Sequence, residues 1–242
     1  MKEKGLSLIE LLVSITILSI VLVILSNVWL SIQRDTFIQR IDFELERGVS
    51  LAISNLRSDI LKAVTIYTPG VSITINDNSG SKYSVGTYSF VTNTQNLVII
   101  VPKDNNIYSF KIYITRQRTG ALYDSLNPNA CMLLYYSKEL SWTPIYSQGN
   151  ITNLVKNFTF TAGESPRLLI DYLANNGLII KYIYLDVIPG HSDIYTFYEL
   201  TSSNYTPGKK VQLLEITIKA QKRWTNLQRE RTATITLSPF TF

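Results

Sequence analysis

Residues 1–32 read MKEKGLSLIELLVSITILSIVLVILSNVWLSI. Lys2 and Lys4 precede a stretch that contains no Lys or Arg until Arg34. From Leu11 to Leu30 only Ser14, Thr16, Ser19, Ser26 and Asn27 interrupt the apolar run. As a helix, such a run crosses a hydrocarbon core of roughly 30 Å. The lysines on one side and Arg34 on the other predict a cytoplasmic N-terminus and an external remainder. A removable secretory signal would have a shorter apolar region and an Ala-x-Ala site, and neither is found here.

One residue does not suit a plain anchor. Glu10 is the only ionisable side chain between Lys4 and Arg34. A carboxylate in a membrane helix costs about 2.5–3.5 kcal/mol, so it calls for a partner and a role. Cutting the chain after Gly5 would give Leu6 a new α-amine, a cation one turn from that carboxylate. Snorkelling of Glu10 to the interface beside Lys4 is compatible with this before assembly.

The stretch Lys4-Gly5-Leu6-Ser7-Leu8-Ile9-Glu10-Leu11-Leu12 resembles the class III signal of bacterial type IV pilins and pseudopilins. The resemblance implies cleavage after Gly5 by a prepilin peptidase and N-methylation of Leu6. It also implies that Glu10 pairs with the amine of a neighbouring subunit during assembly. The family usually has Phe where Leu6 stands. The implied partners are prepilin peptidase, other pilin or pseudopilin subunits, the inner-membrane assembly platform and membrane lipid. The implied history is storage in the cytoplasmic membrane as a single-pass protein, then transfer to an extracytoplasmic filament.

Beyond the apolar run the helical pattern continues. Ile38, Ile41, Leu45, Val49, Ala52, Ile53, Leu56, Ile60 and Val64 form one stripe at helical spacing. Gly48 is the weak point, and Pro69-Gly70 is expected to stop the helix. A helix from Leu6 to Val64 would be roughly 88 Å long, more than one domain buries. Its first half therefore needs lipid or other helices, and its second half can dock on a β-domain. A self-associating stalk would use the same stripe, but Gly48 breaks that seam. The resemblance sharpens the point: Asn27 stands where major pilins carry a helix-kinking proline. With Cys131 as the single cysteine, the C-terminal disulfide of many major pilins cannot form. Both departures point to a minor pilin or pseudopilin.

The 242 residues are 45% hydrophobic and only 17% charged, with 15 Tyr, 9 Phe and 3 Trp. Aromatic and β-branched residues suit strands, and the net charge of +5 is mild. After residue 70, short runs bounded by turn residues predict strands at 71–76, 83–91, 97–101, 107–115, 132–137 and 155–161. Further strands are predicted at 168–172, 179–187, 194–200, 211–220 and 232–237. Asn76-Asp77-Asn78-Ser79-Gly80 and Asp104-Asn105-Asn106 read as hairpin turns. The expected fold is α+β: a long N-terminal helix, half transmembrane and half amphipathic, packed on an antiparallel β-sheet head. The divisions are a leader at 1–5, a membrane or filament-core helix at 6–30, an amphipathic half at 31–66 and a head at 67–242. Loose phrase similarities, at the helix end (56–60) and in the head (154–160 and 211–237), resemble the large minor pseudopilins of type II secretion and related minor pilins.

Catalytic chemistry finds no support. No HExxH, CxxC or Gly-x-Ser-x-Gly pattern occurs. His191, the only histidine, sits in a Pro-Gly-His-Ser turn, and Cys131 lies in an apolar run. Asp77, Asn78 and Ser79, like Asp104, Asn105 and Asn106, lack the acidic count and spacing of a calcium loop, and turn chemistry explains them. No metal or cofactor is expected. The Asn150, Asn157 and Asn204 sequons matter only in a glycosylating host. One basic segment stays open: Lys209, Lys210, Lys219, Lys222, Arg223, Arg229 and Arg231 surround Trp224, opposed by Glu215 and Glu230. Lys219, Lys222, Arg223, Trp224, Arg229 and Arg231 could contact a nucleic-acid strand. A solvated hairpin near anionic headgroups is the favoured reading. The function read from the sequence is a non-enzymatic filament subunit of a pilus, type II secretion or competence machine. The alternative is a single-pass, membrane-anchored adhesin or binding module that never polymerises.

Overall fold

A computed structural model describes residues 8–147, 150–187, 195–200 and 212–238. It contains one long helix, α1 (Leu8–Leu61), followed by strands and a single 3-10 turn at Gly120–Leu122. The chain divides into two compact units, Met1–Phe43 and Glu44–Phe242.

In the first unit the described residues are all helical. From Leu8 to Ile32 every large apolar side chain is exposed. Ser14, Thr16 and Ser19 donate their hydroxyls to the carbonyls of Glu10, Leu12 and Ile15, four residues back. Three of the polar groups that interrupt the run are thus satisfied within the helix and present little polarity outward.

The second unit starts with the last turns of α1. Of the expected stripe within this unit, Leu45, Val49, Ala52, Leu56 and Ile60 are buried, Ile53 is half-buried, and Val64 is exposed. The helix ends at Leu61, earlier than the sequence pattern implies, because the following residues serve a sheet. Val64 donates its N–H to the Ile100 carbonyl, and strand β1 (Thr65–Ile66) pairs antiparallel with Ile99–Ile100. Ala63 is buried in place of Val64.

Strands β2 (Ser72–Asp77) and β3 (Gly86–Val91) form a hairpin, as do β4 (Leu97–Asp104) and β5 (Ile107–Gln117). The tight turn between β4 and β5 places Asn106 at a positive φ of 59°, a conformation asparagine tolerates. Next come β6 (Cys131–Ser141), the small pair β7 (Tyr146–Ser147) and β8 (Asn150–Ile151), and β9 (Asn157–Phe160). The chain ends with β10 (Arg167–Val187), β11 (Tyr195–Leu200), β12 (Leu213–Trp224) and β13 (Leu227–Leu237). The main sheet runs β1-β4-β5-β6-β10-β12-β13, with β11 pairing the far end of β10. A second sheet runs β3-β2-β9.

Strands β4, β5 and β6 are covered on both faces. Val98, Ile100, Phe110, Ile112, Ile114, Met132, Leu134 and Tyr136 point toward the small sheet and its Ile73, Ile75, Phe90, Phe158 and Phe160. The alternate residues face α1: the Tyr113 hydroxyl donates to Asp59 at 2.6 Å, and Leu97 lies opposite Tyr113 in register. This double burial is why Leu97-Val98-Ile99-Ile100 is an unbroken apolar run.

The α+β architecture agrees with the sequence reading, and three details correct it. The predicted strands at 168–172 and 179–187 are one 21-residue strand. Ala174-Asn175-Asn176-Gly177 forms a bulge in it rather than a hairpin turn: Leu173 pairs Ala220 and Leu178 pairs Ile218. A Cβ on Gly177 would lie 2.4 Å from the Lys219 carbonyl oxygen, so the bulge requires glycine there. The head is not wholly antiparallel either, since β9 enters the small sheet parallel to β2. A parallel pair needs a long crossover, and the chain from β3 to β8 supplies one. Finally, residues 83–85 are not strand; the segment between β2 and β3 is held by Asp77.

Gly48 also has a structural reason. The α1 backbone passes β10 closely there: an added Cβ would sit 3.4 Å from the Leu169 carbonyl oxygen and 3.6 Å from Ile170.

Candidate functional site

The apolar helix dominates the chain's surface chemistry. Its most hydrophobic window has a mean hydropathy of 2.9, and none of that window is covered by the rest of the chain. Removing one such side chain from water is favourable by about 1.5–3 kcal/mol, so a bare helix of this kind cannot persist in water. It needs lipid or other apolar helices. Glu10 sits in the first described turn with an exposed side chain. Gly5 and Leu6 lie outside the described residues.

The basic segment forms the β12–β13 hairpin, closed by Thr225-Asn226, with Trp224 opposite Leu227. Thr225 has φ 52°, uncommon for a β-branched residue. The turn is held by Arg223, whose Nε donates to the Thr225 carbonyl at 3.0 Å. Directly opposed residues share a face. Lys222 and Arg229, Ala220 and Arg231, and Trp224 and Leu227 therefore lie together on the side of the fully buried Ala220. Lys219 and Arg223, opposite Thr232 and Gln228, lie on the other side. The five cations thus divide between two faces and form no single strip. Two are also paired within the chain: Lys219 with Glu230 at 2.9 Å, and Lys222 with Glu44 of α1 at 3.0 Å. Lys209 and Lys210 lie outside the described residues.

Behind this hairpin is a polar network that the sequence did not reveal. Asn127 accepts from the Arg223 backbone N–H at 2.6 Å and donates to its carbonyl at 2.9 Å, as a neighbouring strand would. Asn127 also donates to Asp124, which receives the Tyr172 hydroxyl at 3.1 Å and the Leu126 N–H at 3.0 Å. Burial pushes the Asp124 carboxyl up, but these hydrogen bonds and Arg118 more than offset it, so its pKa falls below the ordinary value. Arg118 pairs with Asp171 and stacks 4.4 Å from the Tyr172 ring centre. Lys222 lies 4.2 Å from the same centre. Burial, with Asp124 assisting, pushes the Tyr172 hydroxyl up to about 12. Glu44, Lys222, Tyr172 and Asp124 thus link α1, β12, β10 and the loop before β6. Asn127 and Arg223 are 96 residues apart, which is why no local signal betrays the contact.

The turn candidates act as turns. Asp77 is buried and its carboxylate receives three donors: Ser79 N–H at 3.0 Å, Val85 N–H at 3.2 Å and the Tyr136 hydroxyl at 2.7 Å. Asp104 pairs across the β4–β5 turn with Ile107. Among the described residues, no group of three or more His, Cys, Asp or Glu side chains could hold a metal ion. Cys131 is half-buried, and burial raises its thiol pKa. His191 and Asn204 lie outside the described residues.

Comparison with known families matches residues 1–26 to the prokaryotic N-terminal methylation motif. No curated protein and no solved structure matches the chain. The matched residues include Lys2 and Lys4, the Gly5–Glu10 segment and most of the apolar run.

Proposed function

We propose that this chain, whose residues 1–26 match the prokaryotic N-terminal methylation motif and whose N-terminal helix is long and apolar enough to cross a membrane, is a type IV pilin-like protein anchored by that helix, and more narrowly a minor pilin or pseudopilin. In this reading the divisions of the sequence are steps in a life cycle. Residues 1–5 are a leader removed by prepilin peptidase after Gly5. Leu6 becomes the methylated N-terminus. Residues 6–30 wait in the cytoplasmic membrane and then become part of a filament core. The rest of the helix carries the head outside the membrane. The role is structural rather than catalytic.

The observation that carries this is Glu10. It is the only ionisable side chain in the apolar half of a helix that the rest of the chain leaves uncovered. In lipid its charge is costly. In a filament the Leu6 amine of a neighbouring subunit offers this carboxylate a cation, so transfer out of the bilayer makes its charge less costly. The uncovered apolar surface supplies the remaining drive, provided neighbouring helices replace lipid. Asn27 in place of a kinking proline, and the lone Cys131, support a minor subunit over a major one.

Two experiments test this. N-terminal analysis of the processed protein should begin at Leu6 and show a methyl group. A mature chain still beginning at Met1 would favour the non-polymerising adhesin instead. Glu10→Ala should preserve membrane insertion, because it removes a polar group from the bilayer, and should lower recovery of the subunit in sheared filaments. Wild-type recovery of the Ala variant would remove the pairing role. Whether the machine is a pilus, a secretion system or a competence apparatus is answered by co-purifying its assembly ATPase and secretin.

A further inference from the structure

We propose that the head carries an oxyanion-binding hollow on its main sheet, beyond the end of α1, which takes a carboxylate, sulfate or phosphate group. The hollow measures about 270 Å³ and is lined by Lys111, Tyr135, Ser137, Glu164, Ser165 and Arg167, with Gly163 at its rim. Register explains why these residues meet. Lys111 of β5 lies opposite Ser137 of β6, and Tyr135 of β6 lies opposite Arg167 of β10. Three adjacent strands therefore present them on one face. It is the face that α1 covers, since Tyr113, opposite Tyr135, holds Asp59 in the last turns of the helix. The helix ends at Leu61, and Lys111 and Arg167 remain beyond it.

The charges in the hollow are unbalanced. The Lys111 ammonium donates to the Ser137 hydroxyl at 2.9 Å and lies 5.6 Å from the Tyr135 ring centre. Neither Lys111 nor Arg167 has an ion-pair partner among the described residues. The one acid lining the hollow is engaged elsewhere: Glu164 pairs with Lys138 at 2.6 Å and accepts from the Thr161 N–H at 3.0 Å. Asp59 acts on Lys111 through space, but its carboxylate takes the Tyr113 hydroxyl. A guanidinium fork, an ammonium and two serine hydroxyls beside an aromatic ring suit a planar or tetrahedral oxyanion. The volume limits the ligand to about the size of an acidic monosaccharide. The same chemistry could be supplied by a small soluble ligand or by an acidic side chain of a neighbouring subunit.

The test uses the full chain in neutral detergent. Sulfate and glucuronate are titrated against chloride and glucose at matched ionic strength, with the thermal midpoint of the head as readout. Arg167→Gln, at an exposed position, and Lys111→Gln/Arg167→Gln are run alongside to remove the general stabilising effect of sulfate. Both variants should match the wild-type midpoint without ligand. A saturable response to sulfate and glucuronate that weakens about tenfold or more in the variants supports a soluble ligand. No saturable response in the solubilised chain, with reduced recovery of both variants in filaments, assigns the site to a neighbour's carboxylate. Equal responses in wild type and variants, or no response and unchanged filament recovery, overturn the proposal. None of these results bears on cleavage after Gly5 or on Glu10.

Discussion

Asp77 should be the most sensitive single acid in the head. Its carboxylate closes the segment between β2 and β3 and reaches across to β6, receiving Ser79 N–H, Val85 N–H and the Tyr136 hydroxyl. Replacing it with alanine strands these donors. Val85 and Tyr136 are buried, so each costs about 1–3 kcal/mol when unsatisfied, and Ser79 costs less because water reaches it. Asp77→Ala is therefore expected to lose about 3–6 kcal/mol, a large part of the 5–15 kcal/mol typical of a domain. Asp77→Asn can keep its oxygen on the Val85 N–H and the Tyr136 hydroxyl, which share one carboxylate oxygen, but then aims its amide at the Ser79 N–H, and should lose about 1–3 kcal/mol. Acid titration gives a second signature. Burial pushes the Asp77 carboxyl up, but its hydrogen bonds outweigh that and hold it below its ordinary 3.8. The native state therefore binds this proton less readily than the unfolded chain. Its contribution is complete above the ordinary carboxylate range and is lost as pH falls from about 3.8 through the lower native value. Asp77→Asn should flatten the acid limb by up to about 1.4 kcal/mol per pH unit. Guanidinium unfolding of the full chain in neutral detergent, followed by near-UV circular dichroism from the buried Trp142 and Tyr136, measures both. An Asp77→Asn protein with the wild-type midpoint at neutral pH and an unchanged acid limb would refute this account of the β2–β3 segment.

Gly177→Ala should cost about 3 kcal/mol or more, because its Cβ would meet only backbone atoms, at 2.4, 2.7 and 2.8 Å; a midpoint within error of wild type would mean that the bulge yields. Gly48→Ala should instead stabilise the chain by up to about 1 kcal/mol, since its nearest contact of 3.4 Å is ordinary and helix propensity improves. Gly48→Leu should destabilise it by forcing α1 off β10, and equal stability of the Ala and Leu variants would contradict the close approach. The full chain should show no measurable DNA affinity even at low salt, because the β12–β13 cations divide between two faces. Affinity that falls with log salt, and that disappears when Lys219, Lys222, Arg223, Arg229 and Arg231 are neutralised together, would restore the nucleic-acid reading.

The parts of this protein that one sequence determines are those made by neighbours in the chain. The apolar run, Glu10 and the stripe from Ile41 to Ile60 are legible because a helix repeats every few residues and a bilayer has a fixed thickness. The β4–β5 turn is legible because Asn105-Asn106 has its own conformational preference. Contacts between distant residues had to await the tertiary structure. Ala174 to Gly177 looks like a turn by composition, yet β12 continues pairing past it and makes it a bulge. Lys222 looks like one of a row of free cations until the sheet brings it against Glu44, 178 residues away. Asp77 looks like a turn residue, and is one, but only packing supplies Tyr136 and makes its burial sustainable. The hollow at Lys111 and Arg167 exists because three strands share a register and the helix above them stops at Leu61. Periodicity sets which face of an element is apolar; only the pairing of strands decides which side chains meet on that face, since shifting a strand by one residue exchanges its two faces.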